Sequence, residues 1–534
     1  MKKFIKKIKS NKLLSILSVL IIGVFFILIA RVTYAYLAPV FNSAETDVMG
    51  SSDTVDDFKF ELGDPLKIDA TPTTLKENGS NYTTSTTAKA LLKANSTKNT
   101  ATYNYYIYFL IASNTFTYSD GSTPEIILTV TNPSGDEVTS IDGLTYGTFN
   151  GVSGFDVTTK EGTFNIANSY EITSNSSTSY TIQEWNITLT YLNLSTDQSA
   201  NFGNSMGVNV YIRKDILPMT LADVCTSGSN LANCITTLSD KSSSFATNIY
   251  HHDSTLANGA GDNSYRYAGT NPNNFVCFGS DEATCPTDNL YRIVGVFGEN
   301  NHGVTGKQLV KLIKYDYANS NLLGTDGDYK SSGTPNASYY KGSLTTINTY
   351  YWNNDTTTNM WSESLLNKTN LNTNFINNIG TTWANLIEDT IWKVSGHSTN
   401  SVTPSELYTG EITNATKTYG PNNGTSKIGL MYASDYGFAA GPSAWTTTLN
   451  KYYGNDTNGT LIKTINWMYM GYNEWTLTPN SLRSTSVFYL DYYSVLGRSN
   501  ANNGYGSRPV LYLKSSVLYA GGSGTKDSPI TLVV

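Results

Sequence analysis

Histidine is the residue type that most often serves both general-base catalysis and metal ligation, and the chain has only four. They are His251, His252, His302 and His397. The adjacent pair at 251 and 252, followed by Asp253, is the strongest metal candidate. Adjacent residues of an extended chain point to opposite faces, however, so they rarely bind one ion together. We therefore predict no metal site and interpret the pair as part of a surface loop.

Sequence patterns that accompany catalysis or nucleotide binding are missing or incomplete. The chain has no Gly-x-Ser-x-Gly motif, which places a nucleophilic serine on a sharp turn in hydrolases. The segment 303–308 lacks the earlier glycine and the final Ser or Thr of a phosphate-binding loop. The acidic pair at Glu388 and Asp389 lies opposite the apolar side of a predicted helix, which is typical of solvated residues. The sequence therefore predicts no catalytic residue and no cofactor.

Aromatic side chains in the second half give the one positive indication of a binding site. Sugar rings stack on aromatic faces while amides and carboxylates bind their hydroxyl groups, and these aromatics lie among Asn, Asp and Gly loops. Packing in strands and in the core is the alternative, and it is favoured for any single residue. The candidate ligand contacts are Trp352, Trp445, Trp467, Tyr472 and Trp475. Arg508, which precedes a proline, is predicted to pair with a buried acid.

The four cysteines fall into two close pairs, Cys225 with Cys234 and Cys277 with Cys285. In an oxidising compartment, close pairs indicate short-loop disulfides, each stabilising the fold by roughly 2 to 3 kcal/mol. A zinc site would need Cys-x-x-Cys or His-x-x-x-His spacings, and the sequence has neither. Because four cysteines allow about three pairings, the connectivity stays open.

Strand-length segments rich in β-branched and aromatic residues lie before residue 213, separated by Gly, Asn, Asp and Ser. They are 103–112, 125–131, 163–166, 180–191 and 208–212. Hydrophobic and polar residues alternate in the fourth segment, so Trp185, Ile187, Leu189 and Tyr191 are expected to face a core. Strands without intervening helices predict an antiparallel β-sandwich over residues 36–213.

The residues that follow the predicted sandwich divide into a linker and a second domain. Residues 214–265 are rich in Ser, Thr, Asn and Gly, and we predict a linker there. The second domain then covers 266–534. Two strand candidates at 289–297 and 308–314 flank an Asn/Gly turn, and this pattern predicts a hairpin.

The second domain also contains helical patterns. A helix is predicted over 382–394, where five apolar residues share one face, and a weaker helix over 364–379. The five are Trp383, Leu386, Ile387, Ile391 and Val394. Further strands are expected at 427–433, 475–477, 487–492 and 508–513. The predicted fold class is mainly β plus α+β: an N-terminal antiparallel β-sandwich followed by an α+β C-terminal domain.

The N-terminus carries an export signal in residues 1–35. Six lysines among the first 12 residues precede an uncharged apolar run at 13–30, which is a positive-inside pattern. As a helix the run would span roughly 27 Å, close to the roughly 30 Å core of a bilayer. Its length favours a retained membrane anchor, whereas Thr33 and Ala35 permit cleavage after Ala35. Either outcome places residues 36–534 outside the plasma membrane.

Composition supports an extracellular role. Seven of the 35 Lys and Arg residues lie in the first 31 positions, which leaves 28 against 42 Asp and Glu and a charge of about −14 on the exported part. That sign argues against nucleic acid as a partner. Aromatics make up 12% of the chain and apolar residues 39%, enough to bury cores despite the polar composition.

The segment Val32-Thr33-Tyr34-Ala35-Tyr36, followed by the predicted sandwich and its strand Trp185 to Tyr191, resembles the exported camelysin/TasA family. This resemblance covers roughly residues 13–213 and implies a cleaved leader and assembly into extracellular fibres by strand addition. Some members are called metalloproteases. That activity does not transfer, because residues 36–215 contain no histidine for a catalytic zinc.

The second half, about residues 266–534, resembles an uncharacterised domain of surface proteins from gut Firmicutes and their relatives. Six blocks carry this resemblance: 277–280 with 285–286, 290–293, 427–432, 466–469, 474–477 and 507–514. The final strands also resemble the end of C-type-lectin-like and formylglycine-generating-enzyme-like folds. The chemistry of the latter needs late cysteines, and this chain has none after Cys285.

These observations predict an extracellular or cell-surface protein of a Gram-positive-type bacterium. The sandwich would display or assemble the chain, and the second domain would recognise a partner outside. One alternative is a glycan-binding adhesin, and another is an extracellular hydrolase, which rests only on the protease activity ascribed to the resembled family. The expected partners are the membrane through residues 13–30 if the leader is uncleaved, further copies of the chain, and surface glycans.

Overall fold

The computed structural model describes residues 43–44, 55–75, 79–354, 358–413 and 423–534. The chain divides into two compact units between Leu217 and Pro218. It is mainly β, with several antiparallel sheets, and short helices belong mostly to the second unit. The predicted leader at 1–35, with its apolar run, lies outside the described residues. Within the described ranges, no helix has the length and apolarity needed to cross a bilayer.

The first unit consists of two sheets. Its strands are β1 (Ser43–Ala44), β2 (Asp57–Leu62), β3 (Leu66–Asp69), β4 (Tyr82–Lys93), β5 (Ala101–Asn114), β6 (Ile126–Thr131), β7 (Thr145–Phe149), β8 (Val152–Asp156), β9 (Gly162–Ser174), β10 (Thr181–Tyr191) and β11 (Ser205–Arg213), with a 3-10 turn at Ser199–Asn201. One sheet has the order β1-β11-β5-β9, with β3 also on β11, and the other β2-β4-β10-β6-β8-β7. All pairs are antiparallel except β1 with β11.

The alternating apolar and polar residues of β10 determine which face of its sheet packs against the other sheet. Trp185, Ile187, Leu189 and Tyr191 are all buried in a hydrophobic core that both sheets share, as the sequence predicted. The Trp185 indole N–H donates to the hydroxyl of Tyr105 on β5 across that core, at 2.8 Å. Burying the polar end of the indole is therefore compensated by a hydrogen bond between the sheets.

The second unit contains seventeen further strands and eight short α-helices among the described residues. The strands are β12 (Ile249–His252), β13 (Ser264–Tyr267), β14 (Phe275–Cys277), β15 (Leu290–Phe297), β16 (Leu309–Lys314), β17 (Tyr329–Gly333), β18 (Ile347–Tyr351), β19 (Thr390–Lys393), β20 (Asn423–Ser426), β21 (Ile428–Gly429), β22 (Glu474–Pro479), β23 (Ser486–Leu490), β24 (Leu496–Asn500), β25 (Gly504–Tyr505), β26 (Val510–Tyr512), β27 (Tyr519–Gly521) and β28 (Thr531–Leu532).

The helices of this unit are mostly single turns. The α-helices are α1 (Leu221–Val224), α2 (Leu231–Ser239), α3 (Glu299–His302), α4 (Ser320–Leu323), α5 (Ile376–Asn378), α6 (Thr381–Ala384), α7 (Pro404–Tyr408) and α8 (Ala433–Ala439). Two π-helical segments cover Leu366–Phe375 and Thr409–Thr413. Single 3-10 turns lie at Thr287–Asn289, Pro442–Ala444, Leu449–Lys451 and Ile462–Thr464. The weaker helix predicted at 364–379 corresponds to the first π-helical segment with α5.

A seven-stranded sheet organises the second unit, in the order β12-β13-β15-β16-β26-β21 with β14 also on β15. The predicted hairpin is confirmed, because β15 and β16 pair antiparallel along their length. Gly295 lies at the irregularity in β15, where a Cβ atom would come within 2.1 Å of the carbonyl oxygen of Tyr265 on β13. Only glycine permits this approach of β13 to β15.

Three sequence predictions in this unit are wrong. The linker predicted over 214–265 is wrong from residue 218 onward, since α1, α2, β12 and the first two residues of β13 lie there. Leu231, Ile235 and Leu238 are buried. Helix α6 ends at Ala384, a turn follows, and β19 covers Thr390–Lys393 of the segment 382–394 that was predicted to be one helix. Strand β21 covers only Ile428–Gly429 of the predicted 427–433, because α8 begins at Ala433.

Both disulfides are present, Cys225 with Cys234 and Cys277 with Cys285. The first joins the loop after α1 to helix α2, and the second closes the loop that follows β14. The prediction of two short-loop bonds is confirmed. Such bonds persist in an oxidising compartment, which agrees with an extracellular environment.

Candidate ligand-binding pocket

Three of the five aromatic residues predicted as ligand contacts belong to the core. Trp352, Trp445 and Trp475 are at most 1% exposed. Each indole N–H donates to a main-chain carbonyl oxygen, those of Thr476, Ala440 and Tyr350, at 2.9 to 3.0 Å. A side chain buried and saturated in this way packs the unit and does not meet a ligand.

The other two predicted contacts differ. Tyr472 is half-buried and packs edge-on against Tyr317, at a centroid distance of 5.7 Å. Trp467 donates its indole N–H to the carbonyl of Tyr267, 2.8 Å away, but one side of its ring lines a surface pocket of about 200 Å³. Of the five predicted contacts, Trp467 is the one that lines this pocket.

This depression, which we call the Arg292 pocket, collects side chains from distant parts of the second unit. Phe275 comes from β14, Arg292 from the middle of β15, and Tyr315 directly follows β16. Trp467 and Tyr469 come from the loop before β22. Hydrogen-bonded strands hold the first three in register, since Phe275 pairs with Arg292. The pocket therefore rests on the rigid sheet.

Arg292 is only 4% exposed and lies between two aromatic rings. Its guanidinium carbon is 4.3 Å from the Phe275 ring centroid and 4.6 Å from that of Trp467. Its Nε donates to the Asn274 side-chain oxygen at 2.6 Å, and Nη2 to the Pro272 carbonyl oxygen at 3.0 Å and to Asn271 Oδ1 at 3.5 Å. No protein acceptor among the described residues engages Nη1.

The electrostatics set Arg292 apart from the other buried arginines. Arg266 donates to the carboxylates of Asp262 and Asp435, and Arg508 to that of Glu474 at 2.6 Å, as the sequence predicted for Arg508. Arg292 forms no ion pair with any described residue. Burial lowers its pKa to about 9, so the guanidinium stays charged at neutral pH without a counter-ion. A buried charge of this kind is costly unless something pairs with it.

Lysines at the rim add to the positive potential. Lys341 lies 4.7 Å from the Tyr469 ring and Lys526 5.1 Å from the Tyr315 ring, and both side chains line the pocket. Neither forms an ion pair within the part of the chain that the structure describes. Cationic groups around a concave site of low polarity concentrate the potential inside it, so an anionic group is the favoured occupant.

An aromatic strip extends from the pocket along the surface. The Tyr469 hydroxyl donates to the carbonyl oxygen of Tyr492 at 2.6 Å. Tyr339 packs against both Tyr492 and Tyr493, with centroid distances of 5.4 Å in each case. Tyr492 and Tyr493 are 37% and 46% exposed. Exposed rings beside a pocket offer flat apolar faces to a ligand longer than the pocket itself.

A second depression of about 470 Å³ shares Lys526 with the Arg292 pocket. Its charged side chains, Glu282 and Asp527 besides that lysine, are all exposed. Exposed charges are solvated and fix no ligand orientation. The Arg292 pocket is therefore the stronger candidate site.

None of the histidines lines the Arg292 pocket. His252 is fully buried in β12, packs on Phe438 and Trp445, and accepts a hydrogen bond from the Ala260 N–H at Nδ1. The surface-loop interpretation is wrong for His252, because its strand pairs with β13 inside the unit. The described residues contain no cluster of His, Cys, Asp or Glu suited to a metal ion.

Sequence reasoning missed Arg292, although a signal for it exists. The strand Leu-Tyr-Arg-Ile-Val-Gly-Val-Phe at 290–297 is apolar apart from that arginine, and all eight residues are buried. A charged residue in the middle of such a strand must find a partner or a ligand. Comparison with known protein families, with curated protein sequences and with solved structures gives no match for this chain.

Proposed function

We propose that this chain is an exported surface protein whose second unit recognises an acidic glycan in the Arg292 pocket. The observation that carries the proposal is the buried guanidinium of Arg292, held between two aromatic rings with no carboxylate beside it. The two disulfides support an extracellular setting for such a module.

The chemistry of the walls selects the class of ligand. A carboxylate or sulfate on a sugar would accept from Nη1 of Arg292 in a charge-assisted hydrogen bond. The apolar face of the ring would stack on Trp467 or Phe275, as carbohydrates do on aromatic side chains. A pocket of about 200 Å³ is smaller than the roughly 300 to 1,000 Å³ typical of drug-sized ligands. It therefore takes one sugar, with neighbouring sugars lying on the tyrosine strip.

A binding experiment tests this function. The purified protein is applied to a glycan array that carries neutral, carboxylated and sulfated sugars, and the affinity for any hit is measured by calorimetry. We expect binding confined to acidic glycans. Arg292→Gln should weaken it roughly 10- to 100-fold, since a hydrogen bond to a charged group contributes about 1.5 to 3 kcal/mol.

The matched control is Arg483→Gln, which removes an exposed arginine of the same unit and should leave affinity unchanged. Circular dichroism of both variants separates loss of binding from loss of folding. Equal binding of neutral and acidic glycans, or wild-type affinity in folded Arg292→Gln, would refute the function. Separate carboxylated and sulfated arms identify which anion is bound.

For the first unit we propose a camelysin/TasA-like sandwich that assembles copies of the chain. Its support is the leader segment with the shared core of the two sheets, and the sheet edges formed by β7 and β9, which pair on one side only among the described strands. Electron microscopy and sizing of purified residues 36–534 test this role. A monodisperse monomer under all conditions would remove it.

A further inference from the structure

Lys311, in the middle of β16, is fully buried in the second unit. Its Nζ lies 2.5 Å from Oδ2 of Asp435, near the start of α8. Aromatic rings surround the ammonium group, with centroids 4.6 Å away for Tyr432, 5.1 Å for Phe297 and 5.4 Å for Tyr512. Water is therefore excluded from an amine and a carboxyl group that are in direct contact.

The second oxygen of Asp435 is held separately. Arg266 Nη1 donates to Oδ1 at 3.2 Å, while Nη2 of the same guanidinium pairs with Asp262 at 2.9 Å. Arg266 thus has its own counter-ion and polarises one oxygen of the Asp435 carboxyl. The two oxygens of Asp435 meet different partners, and only Oδ2 faces the amine.

A third acidic residue completes the cluster. Glu411 is fully buried and accepts hydrogen bonds from the N–H groups of Ala433 and Ser434, the two residues before Asp435, and from the hydroxyl of Thr478. Burial raises the pKa of Glu411 to about 7, so near neutral pH this carboxyl both holds and releases a proton. A carboxyl group whose pKa lies near neutral pH can act as a general acid and as a general base.

We propose that Lys311 and Asp435 join in an intramolecular amide bond, formed by the protein itself after folding. The Lys311 ammonium first gives up one proton, and the neutral Nζ atom then attacks Cγ of Asp435. The Cγ–Oδ2 bond breaks after the C–N bond has formed. Two protons leave the ammonium nitrogen and depart with Oδ2 as one water molecule. Glu411, whose charge acts on the Lys311 ammonium, takes up and returns a proton and ends unchanged, and no electron is gained or lost.

Arg266 has a defined part in this step. The tetrahedral intermediate places negative charge on Oδ1, where the Arg266 guanidinium already donates, and a preformed donor at that position lowers the barrier. Burial lowers the pKa of the Lys311 amine, which increases its nucleophilic neutral fraction. Holding the two reacting groups in contact replaces a bimolecular encounter.

No other described lysine meets these conditions. The lysines in ion pairs at Lys89, Lys427 and Lys67 are on the surface with their carboxylate partners. Lys93 faces Asp57 at 3.7 Å and is also partly exposed. Lys314 is buried on the same strand as Lys311, but its amine donates to the main-chain carbonyl of Asp288. Lys314 is therefore the matched control.

Mass spectrometry tests the bond directly. The full chain is reduced, denatured and weighed after prolonged incubation, and its protease fragments are sequenced. We expect a mass one water below that of the sequence and a linked pair of peptides containing Lys311 and Asp435. The water loss should disappear in Lys311→Arg, which keeps the positive charge, persist in Lys314→Arg, and form more slowly in Glu411→Gln.

A wild-type mass equal to that of the sequence overturns the proposal. So does a water loss that survives Lys311→Arg, because another pair of residues would then be its source. Weighing the denatured wild-type chain requires no folded variant, so a substitution that misfolds cannot obscure the answer.

Discussion

Replacing Glu474 by Gln should destabilise the second unit by about 4 kcal/mol. Glu474 and Arg508 are each 2% exposed, and Arg508 Nε donates to Glu474 Oε1 at 2.6 Å. Gln keeps the shape of the side chain and removes only the charge, so Arg508 is left buried without a counter-ion. Charges about 4 Å apart at an effective dielectric constant of 20 interact by about 4 kcal/mol, and removing one partner of a buried pair costs roughly 3 to 5 kcal/mol.

Urea unfolding at neutral pH, followed by tryptophan fluorescence, measures this loss, since seven of the eight tryptophans lie in the second unit. The control is Asp389→Asn, which breaks the exposed pair with Lys427 and should cost less than about 1 kcal/mol. Adding Arg508→Met to Glu474→Gln should recover part of the loss, because the unpaired charge is removed. A cost below about 1 kcal/mol, or an equal effect of Asp389→Asn, would refute the reasoning.

Three further predictions concern the second unit. Burial raises the pKa of Glu411 from 4.5 to about 7. Its contribution to the free energy of unfolding is therefore fully present below pH 4.5 and lost as the pH rises through 7, a decrease of roughly 3 kcal/mol. Glu411→Gln should remove this decrease, as measured by denaturant titrations at several pH values. Replacing Cys225 and Cys234 by Ser opens a loop with a sequence separation of 9 and should cost roughly 2 to 3 kcal/mol in the same titration. Gly295→Ala should cost roughly 1 to 3 kcal/mol or more, since its Cβ would meet the Tyr265 carbonyl, whereas Gly424→Ala, with open space around it, should leave the unfolding midpoint unchanged.

The first unit was predictable because its strands alternate over long segments. In β10 a one-residue shift would expose Trp185 and bury the Asn and Thr residues between the apolar positions, so the pattern allows one register. The same reasoning located β5, β6 and β11 to within a few residues. Order among the strands, with β2 and β3 in different sheets, depends on pairing over long sequence distances and has no local signal.

The segment 382–394 shows where local pattern fails. Its apolar residues fit a helical spacing, but from Thr390 onward they also alternate, and there the strand prevails. Thr390, Trp392 and Val394 are buried, whereas Ile391 is exposed. Trp392 packs on Tyr432 and Tyr512, and β19 pairs with β20. Those partners lie 30 or more residues away, so a window of the sequence contains no information about them.

The candidate site was predicted only through Trp467, for a related reason. Residue type alone indicated five aromatics, and three of them turned out to pack the core. The residue that distinguishes the pocket is Arg292, because no described carboxylate pairs with its guanidinium. Absence of a counter-ion is a property of the folded unit, because acids that are near in sequence, such as Asp288, interact with Tyr291 and Lys314 instead.

Arg292 and Lys311 together show what a charge inside an apolar strand can signify. Both lie in otherwise apolar, buried strands of one hairpin. Burying either charge has a desolvation cost that other interactions must offset. For Lys311 the chain supplies Asp435, more than a hundred residues later, and holds its carboxylate at 2.5 Å, the contact from which we propose an amide bond. For Arg292 the described residues supply aromatic walls, amide and carbonyl oxygens, and an opening to solvent, but no acid in contact with the guanidinium. The proposed acidic glycan would supply this charge from outside the chain, and the carboxylated and sulfated sugars of the glycan array test which anion is bound.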